Sequence, residues 1–377
     1  MANSDTQPPT PKPQHPATSV DPRLPEVERV AELTAESLLV DPLAQLTPVP
    51  GRSVRDLLGG LAETSYQGRN LGTALGLWEQ MLQDRTTIIL CFAGAMVAAG
   101  MRSLVSFLIE HRYVDVLVST GANLSHDVVE SFGYQHFRGS PTLDDRELGR
   151  LAINRVYDNL VAEEGFIREE DYVTDFALGL EQRPYTTREF LMLLGKQLPK
   201  DAKTKGIVTT AAAANVPIYC PALADSSMGM GLANARLKGG TFQIDVLQDV
   251  VETARIVIEA QRAETSTGII VIGGGTPRNF AQQAAVATYM FKEKGEHKYS
   301  LIVTTDAPHW GGLSGSTPQE AQSWRKFRRD AEFVTVHADA TIALPVLAQG
   351  VFEAVPPGTR EWRPRFSNGR EFAIDFG

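Results

Sequence analysis

The chain has 377 residues, 43% of them hydrophobic, and a formal net charge of −9, which suits one large α/β domain and argues against a general nucleic-acid binder. No basic segment followed by an apolar core opens the chain, and no apolar run reaches the roughly 18–20 residues of a membrane helix, so a cytoplasmic protein is expected. Its two cysteines, Cys91 and Cys220, lie in apolar, strand-like settings and read as buried reduced thiols.

Residues 1–22 are rich in Pro, Thr, Ser and Gln and too poor in large apolar side chains to offset their ordering entropy. They are expected as a disordered tail ahead of a single domain over residues 23–377. Arg55–Leu61 reads as a short helix, and Thr64–Gly72 as a polar loop leading into a helix that carries Leu75, Leu77, Trp78 and Leu82. Thr86–Gly94 is an apolar strand, followed by a small-residue segment and a helix through Ile109. Val114–Asn123 repeats that logic, with a helix from about His126. Asp144–Glu164 and Thr187–Leu198 are expected as amphipathic helices, with Gly165–Gly179 packing across an edge between them. Gly206–Pro221 is read as strand-like up to Ile218, Tyr219 and Cys220, and a small-residue loop follows. Ile244–Ala260 has helical periodicity, and Gly268–Phe280 is strand, triple glycine and helix. Leu301–Asp306 is a further strand, and Phe333–Gly350 is strand, polar turn and helix. This alternation predicts a Rossmann-like parallel sheet with helices on both faces.

One stretch, Thr304–Lys326, combines the signals that carry chemistry. It leaves a strand through a loop containing Gly311, Gly312, Ser314 and Gly315 and enters a helix marked by Thr317, Pro318 and Glu320. Those three residues spell an N-cap, a first-turn proline and a capping-box glutamate. Trp324 lies one helical turn past Glu320, and Lys326 roughly 200° further around an ideal helix. The three side chains can meet one ligand only if the helix ends early or the site lies at a seam between subunits. On spacing alone, a cap at Glu320, core packing at Trp324 and a solvated basic face at Arg325 and Lys326 explain these residues better than a shared ligand does.

Several strands end in small polar loops. Gly273, Gly274 and Gly275 sit where a strand hands over to a helix, a place that favours a phosphate, although taken alone the pattern is better explained as a tight turn. Asp225, Asp306 and Asp339 stand at strand ends, where a carboxylate can accept hydrogen bonds from a ribose or cap the next helix. The histidines show no metal-ligand spacing, and no metal is expected.

At these residues the chain resembles the deoxyhypusine synthase family, from TSYQGRNLG to LPVLAQG. The markers are STGANLSHD, CPALADSSMG, the GGG turn, and EAQSWRK followed by VHADA. The resemblance implies an NAD-dependent transferase that moves the 4-aminobutyl group of spermidine to an acceptor amine, with Lys326 as the imine-forming nucleophile. It implies Glu320 as a ligand for a substrate ammonium and Trp324 as the wall along its methylenes, with Asn279 and Gly311 also at the substrate. Arg325 or the nicotinamide ring is expected to lower the Lys326 pKa. NAD contacts are implied at Thr120, Asp225, Gly274, Gly275, Thr304, Thr305, Ser314, Ala338 and Asp339. A homotetramer with sites at subunit seams is implied as well. The chain departs from eukaryotic members at Met230 and Leu313, where they carry aspartates, and at Asn279, where they carry a histidine. TTDAPHWGGLSG is instead similar to the bacterial deoxyhypusine-synthase-like branch. The missing carboxylates favour a free diamine acceptor such as putrescine, giving homospermidine. The alternatives are a lysine of the hypusine-bearing translation factor, a non-catalytic NAD- or polyamine-binding tetramer, and a conventional NAD dehydrogenase.

Overall fold

The computed structural model describes residues 38–40, 42–198, 205–367 and 369–377. The tail expected over residues 1–22 lies outside these residues. Two helices, α1 (Val54–Ala62) and α2 (Tyr66–Gln83), lead into strand β1 (Thr86–Phe92). The polar stretch expected as a loop over Thr64–Gly72 is therefore helical from Tyr66 onward. A Cβ on Gly72 would stand 2.3 Å from the Leu58 carbonyl oxygen, so glycine lets α2 cross α1 closely. That packing outweighs the low helix propensity of its glycines.

Helix α3 (Arg102–Glu110), strand β2 (Val116–Ser119) and helix α4 (Gly121–Ser131) follow. Helix α4 starts at the strand end, ahead of the expected His126, because the Thr120 hydroxyl caps it by accepting from the Asn123 N–H. The single helix expected over Asp144–Glu164 does not form. A short helix over Asp145–Arg150 gives way to a hairpin of Ile153–Val156 and Asn159–Ala162, which pairs with His136–Arg138. Ala152 and Tyr157 break the helical path with φ of 53° and 52°. Gly165–Gly179, expected as an edge segment, belongs instead to α5 (Glu163–Gly179), which buries Gly165, Glu169, Val173 and Ala177 at four-residue intervals.

Helix α6 (Thr187–Gln197) is as expected, but most of the strand read into Gly206–Pro221 is helix α7 (Ile207–Ala214). Its run of four alanines is the strongest helix former available, and only Ile218–Tyr219 remain as strand β3. The chain continues through α8 (Ser227–Leu237), α9 (Val246–Arg262), β4 (Ser266–Ile272) and α10 (Gly275–Ala287). It ends through β5 (His297–Thr304), α11 (Pro318–Ser323), β6 (Phe327–His337) and α12 (Ala340–Ala354), followed by a short C-terminal hairpin.

The six strands form one parallel sheet in the order β6-β5-β4-β1-β2-β3. This is a doubly wound sheet whose order reverses between β1 and β4. Successive residues of β1 feed opposite faces. Ile88, Leu90 and Phe92 join a core with Trp78, Leu117 and Leu344, while Ile89 and Cys91 join one with Val118, Val271 and Ile302. Burial on both faces is why these strands read as unbroken apolar runs. Cys91 and Cys220 are free and buried, as expected. Leu43–Gly377 form one compact unit, and no described helix is long and apolar enough to cross a membrane.

Candidate active site

The loops at the carboxyl ends of β1, β2, β4, β5 and β6 enclose a cleft of about 480 Å³. It lies where the strand order reverses, the position at which sheets of this kind take ligands. Of the residues expected to contact a cofactor, Thr120, Gly274, Gly275, Thr304, Thr305, Ser314, Ala338 and Asp339 all line it. Asp225 does not. It stands on the exposed loop before α8, whose Ser226 packs against Gly121 beside the cleft.

The cleft fits a dinucleotide. The N-cap residues of helices α4, α10 and α12, Thr120, Gly274 and Asp339, line it, so three helix N-termini turn their positive dipole ends towards an anion held there. The triple glycine makes this approach possible: Gly273, Gly274 and Gly275 have φ of 81°, 131° and 58°, positive values that glycine adopts without a side-chain clash. Gly275 N–H donates to Ser314 Oγ at 3.0 Å, tying the glycine turn to the loop after β5. Of the two roles expected of Asp339, the structure shows the helix cap. Its Oδ1 caps α12 by accepting from the Thr341 N–H at 2.7 Å, while Oδ2 has no hydrogen-bond partner among the described residues. The Thr341 hydroxyl and N–H hold this carboxyl below its ordinary range.

Glu320, Trp324 and Lys326 are placed by one short helix and its closure. The capping box is formed in full, with Glu320 N–H donating to Thr317 Oγ1 at 3.1 Å and Thr317 N–H donating to Glu320 Oε2 at 2.6 Å. The helix it starts lasts only six residues. Arg325 adopts φ 57°, and the N–H groups of Lys326 and Arg325 donate to the carbonyls of Ala321 and Gln322 at 3.1 and 2.9 Å. This pair of bonds is a Schellman closure. It reverses the chain so that Lys326 points inward while Trp324 stays 70% exposed. The helix thus ends early, one of the two arrangements left open by the spacing.

The Lys326 side chain is only 8% exposed, and its Nζ donates to Asn279 Oδ1 at 2.9 Å. No carboxylate pairs with it among the described residues. Burial, then the Arg278 guanidinium, lowers its pKa below the ordinary lysine value. Arg325, expected in that role, instead turns its guanidinium to the Tyr289 hydroxyl at 2.7 Å. Lys326, Glu320, Trp324 and Gly311 lie outside the cleft lining. Of these, Lys326 connects to it through the first turns of α10, where its partner Asn279 stands about 6 Å along the axis from Gly275. Gly311 closes a one-turn helix with φ 71° on the exposed part of the loop. Met230 and Leu313, which stand in place of aspartates, are both exposed.

Sequence reasoning missed Arg278. Its position three residues after Gly275 places it on the face of α10 that begins at the glycine turn, a signal that was legible but weak. It is fully buried, and its guanidinium donates to the carbonyls of Leu313, Ser314 and Ser316 at 3.1, 2.8 and 2.6 Å.

The family model described as "Deoxyhypusine synthase" matches residues 56–351. The chain is 42% identical over 332 residues to "Probable deoxyhypusine synthase 2" of Methanosarcina acetivorans, covering 87% of this chain and 95% of that one. It is 36% identical over 295 residues to a "Deoxyhypusine synthase-like protein" of Chlorobaculum tepidum, covering 76% of this chain and 83% of that one. A crystal structure assigned as a deoxyhypusine synthase of Entamoeba histolytica superposes with a TM-score of 0.54 at 20% identity, over 82% of this chain and 97% of that one, a likeness of fold. A match across nearly the whole described chain, on a sheet whose loops suit a dinucleotide, makes this protein a member of the deoxyhypusine synthase family of NAD-dependent transferases.

Proposed function

We propose that this chain moves a 4-aminobutyl group from spermidine, or a related amine, to an acceptor amine through an imine on Lys326, and that the acceptor is a free diamine such as putrescine. The observation that carries the reading is the Lys326 amine, nearly buried, held by a neutral amide and without a carboxylate partner among the described residues. Such an amine keeps a free electron pair at lower pH than a solvated lysine.

NAD, when bound, supplies the hydride acceptor and donor that the transfer uses. Thr120, Gly274, Gly275, Thr304, Thr305, Ser314, Ala338 and Asp339 would hold it, with Asp225 at the margin. The chain's own residues then exchange amines. The Lys326 nitrogen bonds to the C=N carbon of the oxidised donor, and the bond from that carbon to the diaminopropane nitrogen breaks. Both N–H hydrogens of the attacking amine pass to the departing nitrogen, which leaves as the amine of diaminopropane. An acceptor amine attacks the lysine imine in the same way and frees Lys326. Asn279 Oδ1 accepts a Lys326 N–H, which orients the lone pair. Glu320 Oε1, which the capping box does not use, takes a substrate ammonium in a charge-assisted hydrogen bond. The exposed Trp324 ring lies along the methylenes and faces the cation. Exposed Trp310, Trp324 and Met230 support an assembly, proposed as a homotetramer, that covers these side chains.

A second reading replaces the free diamine with a lysine of the hypusine-bearing translation factor. The 42% identity to a relative named as a probable deoxyhypusine synthase favours it. Mass spectrometry of purified protein with NAD and spermidine, with and without putrescine, separates the two. Diaminopropane plus homospermidine establishes the diamine acceptor. Diaminopropane alone directs the test to the protein lysine, and no product from protein that binds NAD leaves a binding protein. Lys326→Ala and Lys326→Arg are both expected to abolish transfer. Turnover by Lys326→Arg, which keeps a charge but forms no imine, would sink the mechanism.

A further inference from the structure

We propose that Arg278 is the positioning residue of this site: its guanidinium fork fixes the loop after β5 to the head of α10, and so sets the Ser314 wall and the Lys326 amine against each other. The inference rests on the lysine-imine reading but goes beyond it. Arg278 is fully buried, yet no carboxylate lies within ion-pair distance of it among the described residues. Its acceptors are instead three carbonyls of one loop, Leu313, Ser314 and Ser316, and its Nε has no partner among the described residues. A buried guanidinium satisfied by carbonyls alone keeps its full positive field.

The connections on either side define what that field and fork do. Upstream, a Cβ on Gly274 would stand 2.7 Å from Ser314, so the glycine turn and the loop are in direct contact. Downstream, Ser316 precedes the Thr317 cap and the Glu320 carboxylate of α11, the helix that delivers Lys326. In the next position of α10, Asn279 receives the Lys326 amine. One side chain therefore braces the cleft wall on one side and the nucleophile on the other.

The charges around it are few. Lys326 faces Arg278 from α10 and His297 from β5, whose backbone N–H donates to the Lys326 carbonyl. Burial pushes the His297 imidazole down to about 4, so it stays neutral and adds no charge near pH 7. Arg278 also feels the Glu320 carboxylate and the buried Cys91 thiol, which burial holds protonated. Arg278 is thus the fixed cation that, after burial, lowers the Lys326 pKa.

The test uses Arg278→Lys and Arg278→Met in the full chain without NAD. Trace acetylation of Lys326 by acetic anhydride, followed by peptide mass spectrometry across pH, reads the amine directly. Hydrogen exchange of the amides of residues 313–317 reads the loop. Wild-type Lys326 is expected to titrate below the ordinary lysine value of about 10.4. In Arg278→Met its midpoint moves up and the loop exchanges faster. In Arg278→Lys the midpoint stays low, while the loop still exchanges about tenfold faster because the fork is lost. A folded Arg278→Met protein with the wild-type midpoint overturns the proposal. If Arg278→Met does not fold, wild-type loop exchange in Arg278→Lys overturns it. Neither readout depends on turnover, so absence of transferase activity would count against the lysine-imine reading and not against this one.

Discussion

In the proposed transfer the Lys326 amine must shed its proton to attack, and its surroundings decide at what pH it does so. Burial and then Arg278 lower its pKa, so the neutral fraction, and with it the transfer rate, rises with pH and levels off below the ordinary lysine value of about 10.4. Asn279 cannot take a proton or carry a charge at this position. Asn279→Asp would set a carboxylate against Nζ, favour the ammonium form and move the rising limb of the pH–rate profile upward. A limb that stays in place would show that Asn279 does not face the reacting amine in the working enzyme. Trp324 and Glu320 differ in kind from Lys326: both are exposed, and each offers an unused face or oxygen to a substrate.

At the scale of elements, Lys326 is delivered by how α11 ends. The capping box starts that helix, and Arg325 in the left-handed region closes it. A non-glycine residue there costs about 1–2 kcal/mol, which the two Schellman bonds and the Tyr289 hydrogen bond offset. Arg325→Val puts a β-branched side chain where φ is positive. It is expected to lose a further 1 kcal/mol or so in urea unfolding and to lower kcat by displacing Lys326. Arg325→Gly relieves the same strain and should keep wild-type kcat. Equal kcat loss in both variants would show that the Arg325 side chain, and not its backbone, matters to the site.

For the whole molecule, stability is concentrated where distant segments meet. Asp115, fully buried, accepts from Arg112, from both terminal nitrogens of Arg360 and from the Ile88 N–H at 2.8–3.0 Å. Arg360 also donates to the carbonyls of Thr86 and Arg112, fastening the segment after α12 beneath β1 and β2. Asp115→Ala leaves two buried guanidiniums without their carboxylate and is expected to lose about 3–5 kcal/mol in chemical denaturation. Loss of less than about 1 kcal/mol would mean that water reaches the pair. Glu169 acts in the opposite sense. Burial pushes its carboxyl from 4.5 up to about 8, so the fold holds its proton more tightly than the unfolded chain does. Its contribution is complete below about 4.5 and is lost as pH rises through about 8, at up to about 1.4 kcal/mol per pH unit. Asp249, raised by burial to about 7, adds to the same trend. Glu169→Gln should flatten its share of that slope and stabilise the protein at pH 8; an unchanged slope would place the titration elsewhere.

The chain's own order determined a good deal of this protein. Strands buried on both faces read as apolar runs, and the Thr317–Glu320 capping box and the triple glycine act within a few residues of themselves, so their geometry is written locally. The match of EAQSWRK and its companion motifs named the family from the same residues. What local order left out depends on contacts between distant segments. Thr64–Gly72 became helical because Gly72 fits against Leu58, and the helix expected at Asp144–Glu164 yielded to a hairpin that pairs with His136–Arg138. The gathering of eight strand-end residues into one cleft required the strand order, which no single strand encodes. Arg278 is the clearest instance: its partners lie 35–38 residues away, and only the folded chain brings one guanidinium between the cleft wall and the lysine.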